Sequence, residues 1–156
     1  MLEVTIPGYK TLFISHLVLD YNGTIACDGR LMTGVKERLE ELSKSLSIRI
    51  LTADTFGSVQ KEMTGIPCEV VVIGKENQTQ AKADVVRQLG LQKTVSVGNG
   101  RNDALMLKET VLGIAVIQEE GASVETLVAA DIATRSILDA LDLLHHPLRL
   151  TATLRS

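Results

Sequence analysis

The sequence predicts an α/β fold: a Rossmann-like three-layer sandwich in which a mostly parallel sheet lies between helices. Three observations carry that expectation. Short apolar runs alternate along the chain with amphipathic helical stretches, the pattern that builds parallel sheets through right-handed crossovers. Gly- and Asn-rich segments follow the apolar runs, where strand ends would turn into loops. Finally, 45% of the 156 residues are hydrophobic but only 3% are aromatic, so the core must be built from Val, Ile, Leu and Ala.

The elements follow in order. Leu2–Ile6 and residues 11–14 flank the turn Pro7-Gly8-Tyr9-Lys10 and suggest a hairpin within residues 1–14. His16–Asp20 reads as the first central strand. Residues 25–32 contain Asp28-Gly29, a two-residue hairpin signal, and suggest a small β-hairpin flap. Thr33 or Gly34 opens a helix through about Ser45, with Val35, Leu39, Leu42 and Leu46 at helical spacing. Residues 47–51 form a strand and residues 55–64 a helix.

Residues 68–73 are almost continuously apolar, as in a strand buried on both faces. Asn77 or Thr79 caps a helix that runs to Leu89 and stops at Gly90. Further strands are expected at 94–97, 111–116 and, as a short edge, 131–133. Further helices are expected at 102–108, 123–128 and 137–144. The tail at 145–156 carries Leu148, Leu150 and Leu154, which can pack on the body or on another copy of the chain. With no internal repeat and no linker, residues 1–156 are expected to form one domain.

Bulk properties exclude several function classes. A net charge of −3 and the absence of Trp disfavour a nucleic-acid surface. No run approaches the roughly 18 apolar residues of a membrane span. The start Met1-Leu2-Glu3-Val4-Thr5 has neither a basic region nor an apolar core of the signal-peptide kind, so a cytoplasmic location is expected. Cys27 and Cys68 lack metal-ligand spacing.

The chemistry gathers at strand ends, where open α/β sheets bind ligands. Asp20-Tyr21-Asn22-Gly23-Thr24 follows the first central strand. Aspartate there is a candidate nucleophile toward phosphorus, although an Asx-type turn would use the same residue. Thr52-Ala53-Asp54 follows the next strand: Thr52 offers a hydroxyl to a phosphoryl oxygen, and Asp54 a cap to the following helix. Lys82 lies where a helix could bring an ammonium to the pocket, with Lys75 as a competitor. Gly98-Asn99-Gly100-Arg101-Asn102-Asp103 follows a later strand, and Asp103 is either a magnesium ligand or an N-terminal helix charge.

In their order and placement these segments resemble the haloacid dehalogenase (HAD) superfamily, and within it the phosphorylation domain of P-type ATPases. That domain's DKTGT, TGD, helical lysine and GDGxND are matched here by DYNGT (Asp20–Thr24), TAD (Thr52–Asp54), Lys82 and GNGRND (Gly98–Asp103). Gly113-Ile114-Ala115 and Ala130-Asp131-Ile132 resemble its later GIA and ADI segments, so the likeness spans about residues 15 to 133.

The resemblance implies Asp20 as nucleophile, with Asn22, Thr52 and Lys82 as the other catalytic positions. It implies phosphate binding by Gly23, Thr24, Thr52, Ala53, Lys82 and Asn102. It implies Mg2+ held by Asp20, the Asn22 carbonyl, Asn99 and Asp103. The chain has no room for a large cap, which points to a small phosphorylated substrate or a phosphoprotein, and to oligomerisation as a way of closing the site.

Two positions depart from the family pattern. Asn22 stands where HAD phosphatases carry a general acid/base, and Asn99 where GDGxND has its first acid. Slow turnover is therefore expected, and the alternative is a non-catalytic regulatory or scaffolding relative. A receiver-type signalling domain is disfavoured, since it would need an aspartate after its third strand, where Ile73-Gly74-Lys75 stands.

Overall fold

The computed structural model describes residues 1–54 and 57–156. The predicted helix over 55–64 begins on residues outside that set; its described part is shorter, Ser58–Glu62. Among the described residues the strands are β1 (Leu2–Ile6), β2 (Lys10–Ile14), β3 (His16–Asp20), β4 (Ala26–Cys27), β5 (Arg30–Leu31), β6 (Ser47–Thr52), β7 (Glu69–Val72), β8 (Thr94–Gly98), β9 (Leu112–Val116) and β10 (Ile132–Thr134). The helices are α1 (Val35–Leu42), α2 (Ser58–Glu62), α3 (Gln78–Leu89), α4 (Ala104–Glu109), α5 (Val124–Ala129), α6 (Ile137–His145) and α7 (Pro147–Leu154).

The central sheet has the order β10-β9-β8-β3-β6-β7, and every neighbouring pair is parallel. β3 and β8 lie side by side, with Leu19 opposite Val97. The strand-end loops after Asp20 and Gly98 are therefore neighbours. Alternation along β3 feeds both faces: Leu17 and Leu19 join a core with Val35, Leu39, Ile137 and Leu141 of α1 and α6, while Val18 joins Val86, Met106 and Leu107 of α3 and α4. Helices thus cover both faces, giving the three-layer α/β sandwich that the sequence predicts.

Two small hairpins accompany the sheet. β1 pairs antiparallel with β2, and its Val4 and Ile6 are buried in the larger core. β4 pairs antiparallel with β5 across Asp28 and Gly29, both at positive φ (50° and 78°), the geometry of a type I′ turn. This flap is only two residues deep on each side.

Two expectations are corrected. The strand near 68–73 is shorter and sits at the sheet edge, paired to β6 alone, with Val72 45% exposed. An apolar run reports that a strand can be covered, not how many neighbours cover it. Asn77 precedes α3, but its backbone is left-handed (φ 53°) and its side chain makes no cap hydrogen bond. The tail is helical, with Leu150 buried against the larger core and Leu148 84% exposed.

Candidate active site

The carboxyl ends of β3, β6 and β8 frame a cavity of about 230 Å³ lined by Asp20, Asn22, Thr52, Ala53, Gln78, Lys82, Asn99, Gly100, Asn102 and Glu120. Three sequence segments far apart in the chain thus converge on one point. Of the site residues implied by the resemblance, Asp20, Asn22, Thr52, Ala53, Lys82, Asn99 and Asn102 form this lining, and Gly23, Thr24 and Asp103 do not.

Asp20 closes β3 and is almost fully buried, at 8% exposure. Its Oδ1 accepts from Lys82 Nζ at 2.7 Å, and its Oδ2 accepts from the Thr24 hydroxyl at 3.3 Å. Burial, and then the charge of Asp103, push its pKa from 3.8 up to about 7, against the pull of Lys82 and Thr24. Lys82 reaches in from α3, 2% exposed, and also donates to Asp103 Oδ1 at 2.7 Å and to Asn102 Oδ1 at 3.2 Å. Burial by itself would lower the lysine's pKa, but the adjoining charges of Asp103 and Asp20 outweigh it and hold the ammonium above its ordinary value. One cation thus serves two carboxyl groups. Lys75, the competitor in sequence, is exposed and does not line the cavity.

Thr52 ends β6, and its hydroxyl accepts from the Asp54 N–H at 3.0 Å, which leaves the hydroxyl proton to donate toward the cavity. Asp54 in turn accepts from the Val59 N–H at 3.1 Å and the Ser58 hydroxyl at 2.6 Å, capping α2. The two readings of this segment from sequence are therefore compatible.

The Asp103 carboxylate is engaged within the protein. It is fully buried; Oδ2 accepts from the N–H groups of Asn99 (3.1 Å) and Gly100 (2.9 Å), and Oδ1 from Lys82. Both oxygens are used in holding the loop. Gly98 makes that possible, because a Cβ there would stand 2.5 Å from the Asp103 carboxyl carbon.

Asn99 instead faces Asp20, for its Oδ1 accepts from the same Thr24 hydroxyl, at 3.2 Å. Its Nδ2 donates to the Gly121 carbonyl at 3.0 Å. A carbonyl can only accept, so this contact fixes which way the amide points.

Two participants were not found from sequence. Gln118 Nε2 donates to the Gly23 and Thr24 carbonyls (3.2 and 2.9 Å), and its Oε1 accepts from the Ile137 N–H at 2.7 Å. Glu120 lines the cavity two residues on. Neither lies in a recognisable motif, and only the pairing of β9 beside β8 brings their turn to the site.

Asp20, Asn22, Thr52 and Asn99 line the cavity and bring oxygen donors that suit a hard cation such as magnesium in kind. They carry less charge than a set of carboxylates. Among the described residues no group of three or more His, Cys, Asp or Glu side chains is arranged to hold a metal. Because magnesium is commonly held by one or two carboxylates together with phosphate oxygens and waters, the residues present fit an ion that arrives with phosphate.

A parallel sheet with this strand order, and loops after β3, β6 and β8 meeting a buried lysine, defines a HAD-type α/β protein. The fold is HAD-like, and the sequence is similar to that of a soluble P-type ATPase-like phosphatase. It is 31% identical over 145 residues to a soluble P-type ATPase-like phosphatase of Methanocaldococcus jannaschii, an alignment covering 86% of this chain and 52% of that protein. The chain thus spans about half the length of that relative. Its fold is shared with a Legionella pneumophila structure assigned to the HAD superfamily hydrolases, subfamily III A (TM-score 0.72, 17% identity, 90% of this chain and 86% of that one). It is shared too with the 3-deoxy-D-manno-octulosonate 8-phosphate phosphatase of Moraxella catarrhalis, solved with magnesium and phosphate ions (TM-score 0.71, 15% identity, 91% and 94%). No protein-family model matches the chain. No helix among the described residues is long and apolar enough to cross a membrane.

Proposed function

We propose that the protein is a magnesium-dependent phosphohydrolase or phosphotransferase that works through an aspartyl-phosphate on Asp20. The observation that carries this reading is the Asp20–Lys82–Asp103 cluster: a buried carboxylate, paired at 2.7 Å with a buried lysine, opening on a cavity with Thr52 and Asn102. A binding module would gain little from keeping a desolvated carboxylate whose pKa is raised to about 7.

The Asp20 carboxylate attacks phosphorus, the acyl-phosphate P–O bond forms, and the bond to the leaving oxygen breaks. The leaving group takes its proton from solvent, because the Asn22 amide has none to give near neutral pH. Water then attacks the aspartyl-phosphate, releasing phosphate, regenerating Asp20 and passing its proton to solvent. Lys82 offsets the charge of Asp20 and of the phosphoryl oxygens throughout, and the Thr52 hydroxyl donates to one of those oxygens. Magnesium, held by Asp20, the Asn22 carbonyl and Asn99, would supply charge neutralisation at the phosphoryl group. Asn22 makes both steps slow, since general acid–base catalysis is worth about 10²–10⁴-fold.

A small phosphorylated compound or a phosphoprotein fits an uncapped site of this size, and a second copy of the chain is a natural lid. The location we favour is the cytoplasm.

Hydrolysis of an aryl phosphate and an acyl phosphate by the purified protein, with and without magnesium, tests the reading against Asp20→Asn. Activity requiring both the metal and Asp20 is expected. Activity no higher than that of Asp20→Asn, at high protein and magnesium, would overturn it in favour of a non-catalytic relative.

A further inference from the structure

The charge absent from position 99 is present on a different loop. Asn99 lines the cavity but offers only an amide, and its Nδ2 donates to the Gly121 carbonyl at 3.0 Å. Gly121 ends a turn closed by its own N–H to the Gln118 carbonyl at 2.8 Å. That turn is fastened to the nucleophile loop by the two bonds from Gln118 Nε2 to Gly23 and Thr24, and to Asn99 again by the Ser123 N–H on the Asn99 carbonyl at 2.9 Å. Glu120 lies inside the turn so held.

Its carboxylate lies over Gly23. A Cβ on residue 23 would stand 2.5 Å from Glu120 Oε2 and 2.6 and 2.9 Å from the Asn99 side-chain nitrogen and oxygen. Glu120 and Asn99 therefore crowd one point beside the nucleophile loop, and Gly23 (φ 76°) leaves that point open. An aspartate at 99 could not donate to Gly121 and would set a second carboxylate against Glu120. The amide at 99 and the carboxylate at 120 thus form one arrangement: the neutral residue holds the turn that brings the charged one.

We propose that Glu120 is a ligand of the divalent cation and supplies the carboxylate that Asn99 lacks, an inference that rests on the magnesium-dependent reading above. With Asp20 it gives the site two available carboxylates, within the number magnesium commonly takes alongside phosphate oxygens. Asp103, spent on the backbone and on Lys82, is not a third.

Binding of Mn2+, followed by the electron paramagnetic resonance of the free ion in the presence of phosphate, tests this without reference to turnover. Glu120 is exposed, so its replacement does not threaten folding. Glu120→Gln is expected to weaken Mn2+ binding about tenfold. Glu119→Gln, one residue away, exposed and outside the cavity lining, is expected to leave it unchanged. Adding Asn99→Asp to Glu120→Gln, which returns the charge to position 99, is expected to recover binding. Wild-type affinity in Glu120→Gln overturns the role of Glu120 while leaving the metal-dependent reading standing. Equal weakening in Glu119→Gln overturns it too, by reducing the effect to general surface charge. No Mn2+ binding by the unaltered protein overturns both readings together.

Discussion

Lys82 stands 2.7 Å from Asp103 Oδ1, the same distance at which it meets Asp20 Oδ1, so one buried ammonium joins the loops at the ends of β3 and β8. Each loop brings one carboxyl group to it. The ion pair is at once the electrostatic support of Asp20 and part of the packing of α3.

Replacing Lys82 by Met keeps the length of the side chain and removes its charge. Breaking a buried pair by removing one partner costs about 3–5 kcal/mol, because the remaining charge is desolvated and unpaired. Thermal unfolding of Lys82→Met should therefore fall by on the order of 10 °C. Part of that loss should return in the double variant Lys82→Met, Asp20→Asn. A melting point within a degree or two of wild type would contradict the account of the pocket.

Asp20 gives stability a pH dependence of opposite sign to that of most carboxylates. Its folded value of about 7 lies above its ordinary 3.8, so between those values the folded protein holds a proton that the unfolded chain releases. Without metal, stability from this group should decline as pH rises through that window, with the full penalty present above pH 7. Relative to wild type, Asp20→Asn should thus gain stability from pH 5 to pH 8, on the order of 1–3 kcal/mol. Melting curves with a chelator present measure this, and a gain that shrinks with rising pH would refute it.

Gln118 positions rather than reacts. Gln118→Glu has the same shape but loses both donated bonds to the nucleophile loop, and leaving such carbonyls unpaired costs about 1–3 kcal/mol. Amide exchange at Gly23, whose N–H bonds the Ala26 carbonyl at 2.9 Å, should accelerate in this variant while exchange within β8 holds. Uniform acceleration would point to global destabilisation instead.

Asn22→Asp installs the missing acid/base beside Asp20. Steady-state hydrolysis should rise, by up to about 10²–10⁴-fold if proton transfer limits both steps. Acid-quenched samples of the unaltered protein should carry phosphate on Asp20, and the phosphorylated fraction should fall in Asn22→Asp. An unchanged rate would place the slow step elsewhere.

The sequence by itself determined the α/β class and the strand containing Asp20, because these depend on local patterns: apolar periodicity, turn residues and position at strand ends; the grouping of Asp20, Thr52, Lys82 and the 98–103 loop was legible only through the resemblance of their order to a known family. It determined the flap as well, since Asp28-Gly29 encodes its turn within two residues. Tertiary structure decided which strand is an edge, because β7 is as apolar as a central strand and only the sheet order leaves Val72 exposed. It chose Lys82 over Lys75, since the reach of a lysine depends on where its helix docks. It set the Asp103 carboxylate against two backbone N–H groups of its own loop. It also brought in Gln118, which bonds residues more than ninety positions away in the chain, and Glu120, which the same turn carries to the cavity. Charge and hydrogen-bond capacity are properties of residue types and can be read from sequence. Which partner satisfies them is set by long-range packing, and that is where the chemistry of this site was decided.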